Sequence, residues 1–159
     1  WSLNDCVGEK GLLVMFICNH CPYVKAIQTR LVEDTLKLKD IGINSVAIMS
    51  NDPSDYPEDS FENMQKAAKE FNYPFPYLFD ETQEIAKTYG AICTPDFFGY
   101  NKSLELQYRG RLDDSGKNPP SANSKRELLE AMSEVAKTGN GPKQQIPSIG
   151  CSIKWKNAG

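Results

Sequence analysis

The sequence predicts an α/β fold, in which a central and mostly parallel sheet ends in an antiparallel hairpin and carries helices on both faces. Three observations lead to this prediction. Short apolar runs alternate with segments of helical spacing, beginning with the run at 12–17. Helix N-terminal capping pairs recur further along the chain. Two extended runs, 97–100 and 104–108, are separated only by 101–103, which is typical of a hairpin.

The first elements follow from apolar spacing. The run at 12–17 follows Gly11 and precedes a polar cluster, which suits a strand that is buried on both faces. A helix is predicted from Pro22, and a second strand is predicted over 44–49. The apolar residues at helical spacing after Pro22 are Val24, Ile27, Leu31 and Leu38.

Three more helices are predicted from capping pairs and glycine stops, which gives the order β-α-β-α-(short β)-α-β-β-α. A side chain that accepts an amide hydrogen bond and a Glu or Gln three residues later together satisfy free donors at a helix start. Glycine at the other end suits the left-handed residue that closes a helix, as at Gly90 and Gly139. The capping pairs are Asp59 with Glu62, Asp80 with Gln83, and Ser124 with Glu127.

Length and composition indicate one domain over residues 1–159, with a looser C-terminal tail from about 138. The chain has 159 residues, 40% of them hydrophobic, and domains commonly hold roughly 100–200 residues. Its longest apolar run, 11–18, is shorter than the roughly 18–20 residues of a membrane span. A formal charge of −3 without basic clusters argues against nucleic acid or an anionic membrane as the main partner.

Five cysteines and a single histidine restrict the chemistry. With His20 alone, a three-histidine zinc site and a separate His/Asp triad are both excluded. The cysteines are too few for a disulfide-stapled scaffold, and their odd number leaves at least one thiol free.

The most informative segment is Phe-Ile-Cys-Asn-His-Cys-Pro-Tyr-Val-Lys at 16–25. Pro22 suits the first position of a helix, which places Cys21 at the N-cap. Backbone N–H groups and the helix dipole stabilise a thiolate there, so a cysteine pKa falls from about 8.5 toward about 3.5–7.5. We therefore predict Cys21 as the nucleophile. Cys18 either pairs with Cys21 as a disulfide or ends the strand as a small buried residue, and His20 either supports the site or is merely solvated.

Other candidates lie further along the chain. Pro95, at the mouth of a strand, is a candidate for a cis peptide bond after Thr94. Cys151 follows a flexible stretch and is either a packing or surface cysteine or a mobile resolving thiol. Cys6 is expected in a polar N-terminal turn. The acidic, turn-rich stretch 51–59 is interpreted as a solvated loop that borders the site and is not a metal cage.

These segments resemble the thioredoxin-fold superfamily, on its branch of peroxiredoxin-like (redoxin, AhpC-TSA-like) thiol-disulfide oxidoreductases, over nearly the whole chain. The resemblance implies a thioredoxin-like fold in which Thr94 and Pro95 form the cis-proline loop that faces the active-site cysteine. Cys93 is then a third thiol near the site. The matching blocks are Cys-Asn-His-Cys-Pro-Tyr-Val-Lys at 18–25, Asn-Asp at 51–52, and the segments 75–83, 94–98, 108–111 and 150–156.

The chain also departs from the patterns of that superfamily. With Phe16 as the reference, the attacking cysteine falls at Cys21, but the usual resolving position is Val24, so Cys18 takes the resolving role. The usual buried acid falls at Met15, so its proton transfer is lost. Neither Cys18 nor Cys21 is preceded by the Pro-x-x-x-Thr/Ser-x-x-Cys signature of peroxiredoxins, which counts against efficient peroxide reduction.

The sequence therefore predicts a thiol-based oxidoreductase without a resident cofactor or metal. Its substrate is a disulfide-containing protein, a small thiol or a peroxide, and a reductant system recycles it. The alternatives are hydroperoxide reduction with recycling by Cys18, Cys93 or Cys151, a Cu(I) or Zn module that uses Cys18, His20 and Cys21, and a non-catalytic binding domain. Active-site cysteine pairs occur in reducing and oxidising compartments, and the cytoplasm is slightly favoured over the periplasm. Oligomeric state and any leader before Trp1 stay open.

Overall fold

The structure is a computed structural model that describes residues 3–119 and 123–156. A five-stranded sheet has the order β3-β2-β1-β5-β6, and a separate two-stranded sheet joins β4 and β7. The strands are β1 (Gly11–Phe16), β2 (Ile43–Met49), β3 (Tyr77–Phe79), β4 (Cys93–Thr94), β5 (Asp96–Asn101), β6 (Leu106–Gly110) and β7 (Cys151–Ser152). The helices are α1 (Leu3–Cys6), α2 (Pro22–Lys25), α3 (Gln28–Asp40), α4 (Phe61–Glu70), α5 (Glu84–Tyr89) and α6 (Glu127–Thr138), and a 3₁₀ turn spans Pro57–Asp59.

The sheet is mixed, as the sequence predicts. β1 pairs in parallel with β2, which pairs in parallel with β3, while β5 runs antiparallel to both β1 and β6. Every residue of β1 is buried, because its alternating side chains enter two different cores. One core contains Leu13 and Met15 with α2, α3 and α6, and the other contains Val14 and Phe16 with the end of α1 and part of α5. The central strand therefore carries helices on both faces, and its carboxyl end leads directly into residues 17–21.

The predicted helix from Pro22 is two helices. Ile27 N–H bonds to the carbonyl of Val24, three residues back, and α3 then begins at Gln28. This tighter bond separates α2 from α3 without a proline or glycine at the junction.

None of the three capping pairs forms as predicted, although the helices and the glycine stops at Gly90 and Gly139 are correct and Asp80 still accepts hydrogen bonds from Ile85 and Ala86 N–H at the start of α5. Ser60 caps α4 by accepting a hydrogen bond from Asn63 N–H, and Asp59 lies in the preceding turn. Gln83, in a left-handed conformation, precedes α5, and Arg126 precedes α6 without a side-chain cap. The Ser124 hydroxyl instead bonds the Ser115 hydroxyl at 2.7 Å, and Asp59 bonds Asn19 and Asn51, so these two predicted caps bind partners outside their helices.

The hairpin turn is longer than the sequence predicts, because Asn101 organises it. Its Oδ1 accepts hydrogen bonds from the N–H groups of Ser103 and Glu105, both at 3.0 Å, so β6 begins only at Leu106. Leu104, predicted as a strand residue, has a left-handed φ of 62°.

Beyond α6 the chain follows β6 and then returns to the carboxyl end of β1. Arg111 N–H donates to the carbonyl of Ile146 at 2.9 Å, and Cys151–Ser152 then pairs with Cys93–Thr94 as a small antiparallel sheet that the sequence analysis missed. Among the described residues, no helix is long and apolar enough to cross a membrane. This path brings the last part of the chain to the site.

Candidate active site

Cys18 and Cys21 lie in the connection between β1 and α2, and both are buried, with 1% and 0% of their surface exposed. Cys21 occupies the N-cap of α2 with extended backbone, and Pro22 is the first helical residue. Val24 N–H donates to the Cys21 carbonyl at 3.0 Å, which closes the first turn. The structure thus has Cys21 at the position that Pro22 predicts, where free helix amides and the helix dipole favour a negative charge.

The surroundings of Cys21 stabilise its thiolate. Its pKa is lowered to about 4, chiefly by the hydrogen bond from the Cys18 thiol. The side chain of Cys151 and the backbone N–H groups of Val24 and Cys151 lower the pKa further, while burial opposes them. The pKa of Cys18 is raised because its proton remains in the bond to Cys21, because it is buried, and because Asp59 is near. The pair therefore holds one thiolate, at Cys21, and one thiol, at Cys18.

The loop before β5 contacts both cysteines. The bond between Thr94 and Pro95 is cis. Thr94 Oγ1 lies 3.4 Å from Cys18 Sγ, and the Thr94 carbonyl oxygen lies 3.4 Å from Cys21 Sγ. Sequence reasoning therefore assigned Thr94 and Pro95 to the correct place in the fold.

Residues 150–154, which we call the C-terminal strap, cover this loop. Cys151 pairs with Thr94 in the small sheet, which brings its half-buried thiol to Cys21. A Cβ at Gly150 would lie 2.0 Å from the Thr94 carbonyl oxygen, so only glycine permits this approach. Lys154 N–H donates to Asn51 Oδ1 at 2.8 Å and ties the strap to the end of β2. Burial and the bond to Cys21 raise the pKa of Cys151 to about 11, so it stays a thiol.

The stretch 51–59 is not simply the solvated loop that the sequence suggests, because Asn51 and Asp59 are 2% and 0% exposed. Asp59 Oδ1 accepts a hydrogen bond from Asn19 N–H at 2.7 Å, and its Oδ2 accepts one from Asn51 Nδ2 at 3.0 Å. Oδ2 also pairs with His20 Nδ1. His20 stacks on Tyr56 with ring centroids 4.9 Å apart, so it is held in place rather than merely solvated.

Sequence reasoning missed Asp59 as a site residue. Its local pairing with Glu62 resembled a helix cap, and that interpretation concealed a long-range role. The lone His20 beside Cys21 was the available signal that a carboxylate partner would be required, since a fixed imidazole commonly has one.

One group of side chains has the composition of a metal site. Ligand atoms of Cys18, His20 and Asp59 lie within 4.8 Å of one another. Both oxygens of Asp59 already accept hydrogen bonds from Asn19 and Asn51, and His20 pairs with the same carboxylate. Because the protein itself satisfies this donor set, we assign no metal to it.

The other cysteines have different surroundings. Cys93 Sγ lies 3.5 Å from the Pro95 carbonyl oxygen, and burial together with the charge of Asp96 raises its pKa to about 12. Cys93 is therefore a protonated thiol beside the cis-proline loop, and it interacts electrostatically with Cys21. Cys6 ends α1 and is buried in the second core, which corrects its placement in a polar turn.

A cleft of about 270 Å³ opens beside Pro95. Tyr23, Ile27 and Ile149 give it apolar walls, and Lys117 lies on its wall with Nζ 4.6 Å from the centre of the Tyr23 ring. The cleft, whose lining also includes Asp114, therefore combines apolar surface with charges of both signs next to the loop that contacts Cys21.

Comparisons with known proteins identify the family of the chain and similar structures. The AhpC/TSA family matches residues 1–114. An uncharacterized conserved protein from Geobacillus kaustophilus is 48% identical, with a TM-score of 0.92 over 99% of this chain and 83% of that chain. A hypothetical protein from Sinorhizobium meliloti is 41% identical, with a TM-score of 0.84 over 94% of this chain and 81% of that chain.

A more distant likeness concerns the fold. A secreted Mycobacterium tuberculosis disulfide oxidoreductase homologous to E. coli DsbE is 20% identical, with a TM-score of 0.59 over 79% of this chain and 81% of that chain. No curated protein matches significantly. The fold is thioredoxin-like, as the resemblance implied.

Proposed function

The chain belongs to the AhpC/TSA family and has a thiol-based redox function, and from this premise we propose that it catalyses thiol–disulfide exchange through Cys21 and Cys18. The observation that carries the proposal is the placement of this pair: Cys21 lies at the N-cap of α2, and Thr94 contacts both Cys21 and Cys18. The lowered pKa of Cys21 supplies the thiolate needed for attack, and the raised pKa of Cys18 keeps it as the thiol needed for resolution.

The reaction consists of two exchanges. The Cys21 thiolate attacks one sulfur of the substrate disulfide, a bond forms to that sulfur, and the other substrate sulfur leaves with the electron pair. Cys18 then loses its proton and attacks Cys21 Sγ. The Cys18–Cys21 disulfide forms, the second substrate sulfur leaves as a thiolate, and the protein dithiol has been oxidised as the substrate was reduced. An external dithiol reductant reverses the protein half of this reaction.

Access to Cys21 requires movement of its cover. Cys21 has no exposed surface, and Thr94 and the C-terminal strap lie over it. We infer that Gly150 and Cys151 shift when substrate enters, because a two-residue strand pair holds them, whereas Ile153, buried in the second core, and Lys154, bonded to Asn51, anchor the rest of the strap. The cleft beside Pro95 then supplies an apolar surface with charged groups at its wall for the polypeptide around the substrate disulfide.

The test is a single-turnover comparison of two oxidants. Reduced wild type, Cys21→Ser and Cys18→Ser proteins are each mixed with a disulfide-bonded peptide or with an organic hydroperoxide, and thiol loss is followed with time. We expect fast disulfide reduction by wild type, a stalled mixed disulfide with Cys18→Ser, and no reaction at the site with Cys21→Ser. A Cys6→Ser variant is the matched control, because this buried cysteine belongs to the other core. Disulfide reduction by Cys21→Ser at the wild-type rate would overturn the proposal.

Hydroperoxide reduction is the second candidate, favoured by the family match and by a thiolate at a helix N-terminus. Cys21 would attack the peroxide to give a sulfenic acid and an alcohol, and Cys18 or Cys151 would condense with the sulfenic acid, with loss of water. The missing peroxidatic signature before Cys21 ranks it second. A hydroperoxide reaction faster than the disulfide reaction in the same comparison would reverse this order.

A further inference from the structure

We propose that Asp59 and His20 together accept the proton of Cys18 in the resolving step. This inference rests on the proposed thiol–disulfide exchange and deepens it. The pair would do the work that the resemblance assigns to a buried acid at the position of Met15, which here is an apolar core residue.

Cys18 needs such an acceptor because, in the part of the chain that the structure describes, none of its other immediate contacts removes a proton. Its Sγ lies 3.4 Å from Thr94 Oγ1, a hydroxyl, and its other partner is Cys21. Once Cys21 is in a mixed disulfide it carries no charge and no longer attracts the proton of Cys18. Only 1% of Cys18 is exposed, so bulk water does not reach it freely.

The geometry provides the acceptor. A sulfur of Cys18, a nitrogen of His20 and an oxygen of Asp59 lie within 4.8 Å of one another, a separation that a direct contact or one water molecule spans. Asp59 is fully buried and fixed by the bonds from Asn19 and Asn51, whereas the His20 side chain is 18% exposed. A proton that enters the pair near Cys18 therefore has a route outward through the imidazole.

The total charge of the pocket is compatible with the proton transfer. The Asp59 charge is one of the causes that raise the pKa of Cys18. Moving the proton from Cys18 onto the Asp59–His20 pair leaves the total charge of the pocket unchanged, so no new buried charge is created.

The other titratable groups that face Cys18 do not compete for its proton. Cys21 faces it from the start of α2, Tyr77 faces it from β3, and Tyr73 lies between α4 and β3. The pKa of each tyrosine is raised by burial, so both phenols stay neutral near neutral pH. Tyr77 donates its hydroxyl hydrogen to Asn19 Oδ1 at 2.9 Å, which is a structural contact of the same network.

Cys18 Sγ forms a bond to Cys21 Sγ, the bond between Cys21 Sγ and the substrate sulfur breaks, and that sulfur leaves with the electron pair. The Cys18 proton passes to the Asp59–His20 pair, which later returns it to solvent or to the departing thiolate.

The experiment uses the aromatic disulfide DTNB, which releases one coloured TNB thiolate when Cys21 attacks and a second when Cys18 resolves. TNB leaves as an anion, so the second phase depends on removal of the Cys18 proton and not on protonation of the leaving group. The full chain carries Ser at Cys6, Cys93 and Cys151, so that only Cys18 and Cys21 react. Asp59→Asn and His20→Gln are compared with Tyr77→Phe, which alters the network without removing the acceptor.

We expect a second phase that is at least about 100-fold slower in Asp59→Asn near neutral pH, a typical effect of losing a general base, with an unchanged first phase. Its rate should rise about tenfold per pH unit, because hydroxide must then ionise Cys18. His20→Gln should also slow the second phase, and Tyr77→Phe should leave its rate nearly unchanged.

The outcomes separate the two proposals. If the first phase is absent when Cys21 and Cys18 are intact, the proposed function fails. If the first phase is present and the second is unchanged in Asp59→Asn and His20→Gln, the acceptor role is overturned. A purely electrostatic role of Asp59 predicts the opposite sign, because neutralising the carboxylate lowers the pKa of Cys18 and speeds its attack. If Asp59→Asn does not fold, His20→Gln alone decides between these results.

Discussion

The hydrogen bond from Cys18 makes a quantitative prediction about Cys21. It is the largest cause of the lowered Cys21 pKa, which is about 4. A hydrogen bond to a charged group contributes about 1.5–3 kcal/mol, and one pKa unit corresponds to about 1.4 kcal/mol. Cys18→Ala should therefore raise the pKa of Cys21 by about one to two units, to about 5–6.

A serine at position 18 is the matched control. Its hydroxyl still donates toward Cys21, so Cys18→Ser should keep a pKa closer to that of wild type than Cys18→Ala does. The Cys151 side chain and the backbone N–H groups of Val24 and Cys151 remain in both variants, so neither should return Cys21 to an ordinary thiol pKa.

The assay is the rate of iodoacetamide alkylation of Cys21 against pH, with the modified peptide identified by mass spectrometry. Because only the thiolate reacts, the midpoint of the rate profile is the pKa of Cys21. A wild-type midpoint near the value of a free thiol would refute the account of the site. A midpoint that is the same in wild type and Cys18→Ala would refute the role of the Cys18 proton.

Three further predictions concern the strap, the thiolate and a buried ion pair. The Cβ of Gly150→Ala would lie 2.0 Å from the Thr94 carbonyl oxygen, so this variant should displace the strap. Alkylation of Cys21 should then be about tenfold faster at a pH where Cys21 is fully ionised, as expected if local opening becomes about 1.4 kcal/mol easier. An unchanged rate would contradict the covering role of the strap. Because the pKa of Cys21 is lowered in the folded state, its thiolate stabilises the reduced protein increasingly from about pH 4 upward. The Tm of wild type should therefore rise between about pH 5 and pH 8 relative to the Tm of Cys21→Ser. Parallel Tm curves would count against the thiolate. Arg30 Nε lies 2.6 Å from Asp113 Oδ2, so Asp113→Ala leaves the Arg30 guanidinium buried without this partner. Urea unfolding should show a free energy of unfolding that is lower by about 3–5 kcal/mol. A decrease below about 1 kcal/mol would be inconsistent with a buried pair.

The part of the site that was predictable from the sequence is the part that local chemistry determines. Pro22 fixes where α2 begins, and that places Cys21 at the N-cap. Thr94 and Pro95 were found because a proline at a strand mouth restricts the backbone strongly and because the resemblance supplied the opposing cysteine. At Pro22 a single residue limits its own conformation and is enough for the prediction, whereas at Pro95 the local restriction suggested a cis bond and the resemblance placed the loop opposite Cys21.

The missed features depend on contacts between distant segments. Asp59 forms a plausible cap with Glu62 in the sequence, yet in the structure it is buried against Asn19 and His20, which lie 40 and 39 positions earlier. The position of Cys151 depends on the return of the C-terminal segment to Thr94. Gly150 permits this close approach, but a glycine in the sequence does not by itself predict the contact. Periodicity and capping rules contain no term for such contacts.

The most direct test of the central claim is to identify the cysteine that first bonds to a substrate. Protein with Cys18→Ser and Cys151→Ser, which lacks both neighbouring thiols, is mixed with a disulfide-bonded peptide, quenched in acid and mapped by mass spectrometry. The account predicts a mixed disulfide at Cys21, formed with little change in rate from about pH 6 to pH 8, since the lowered pKa keeps Cys21 ionised across that range. A mixed disulfide at Cys93 or Cys6, or one that forms only as the pH approaches that of an ordinary thiol pKa, would contradict it.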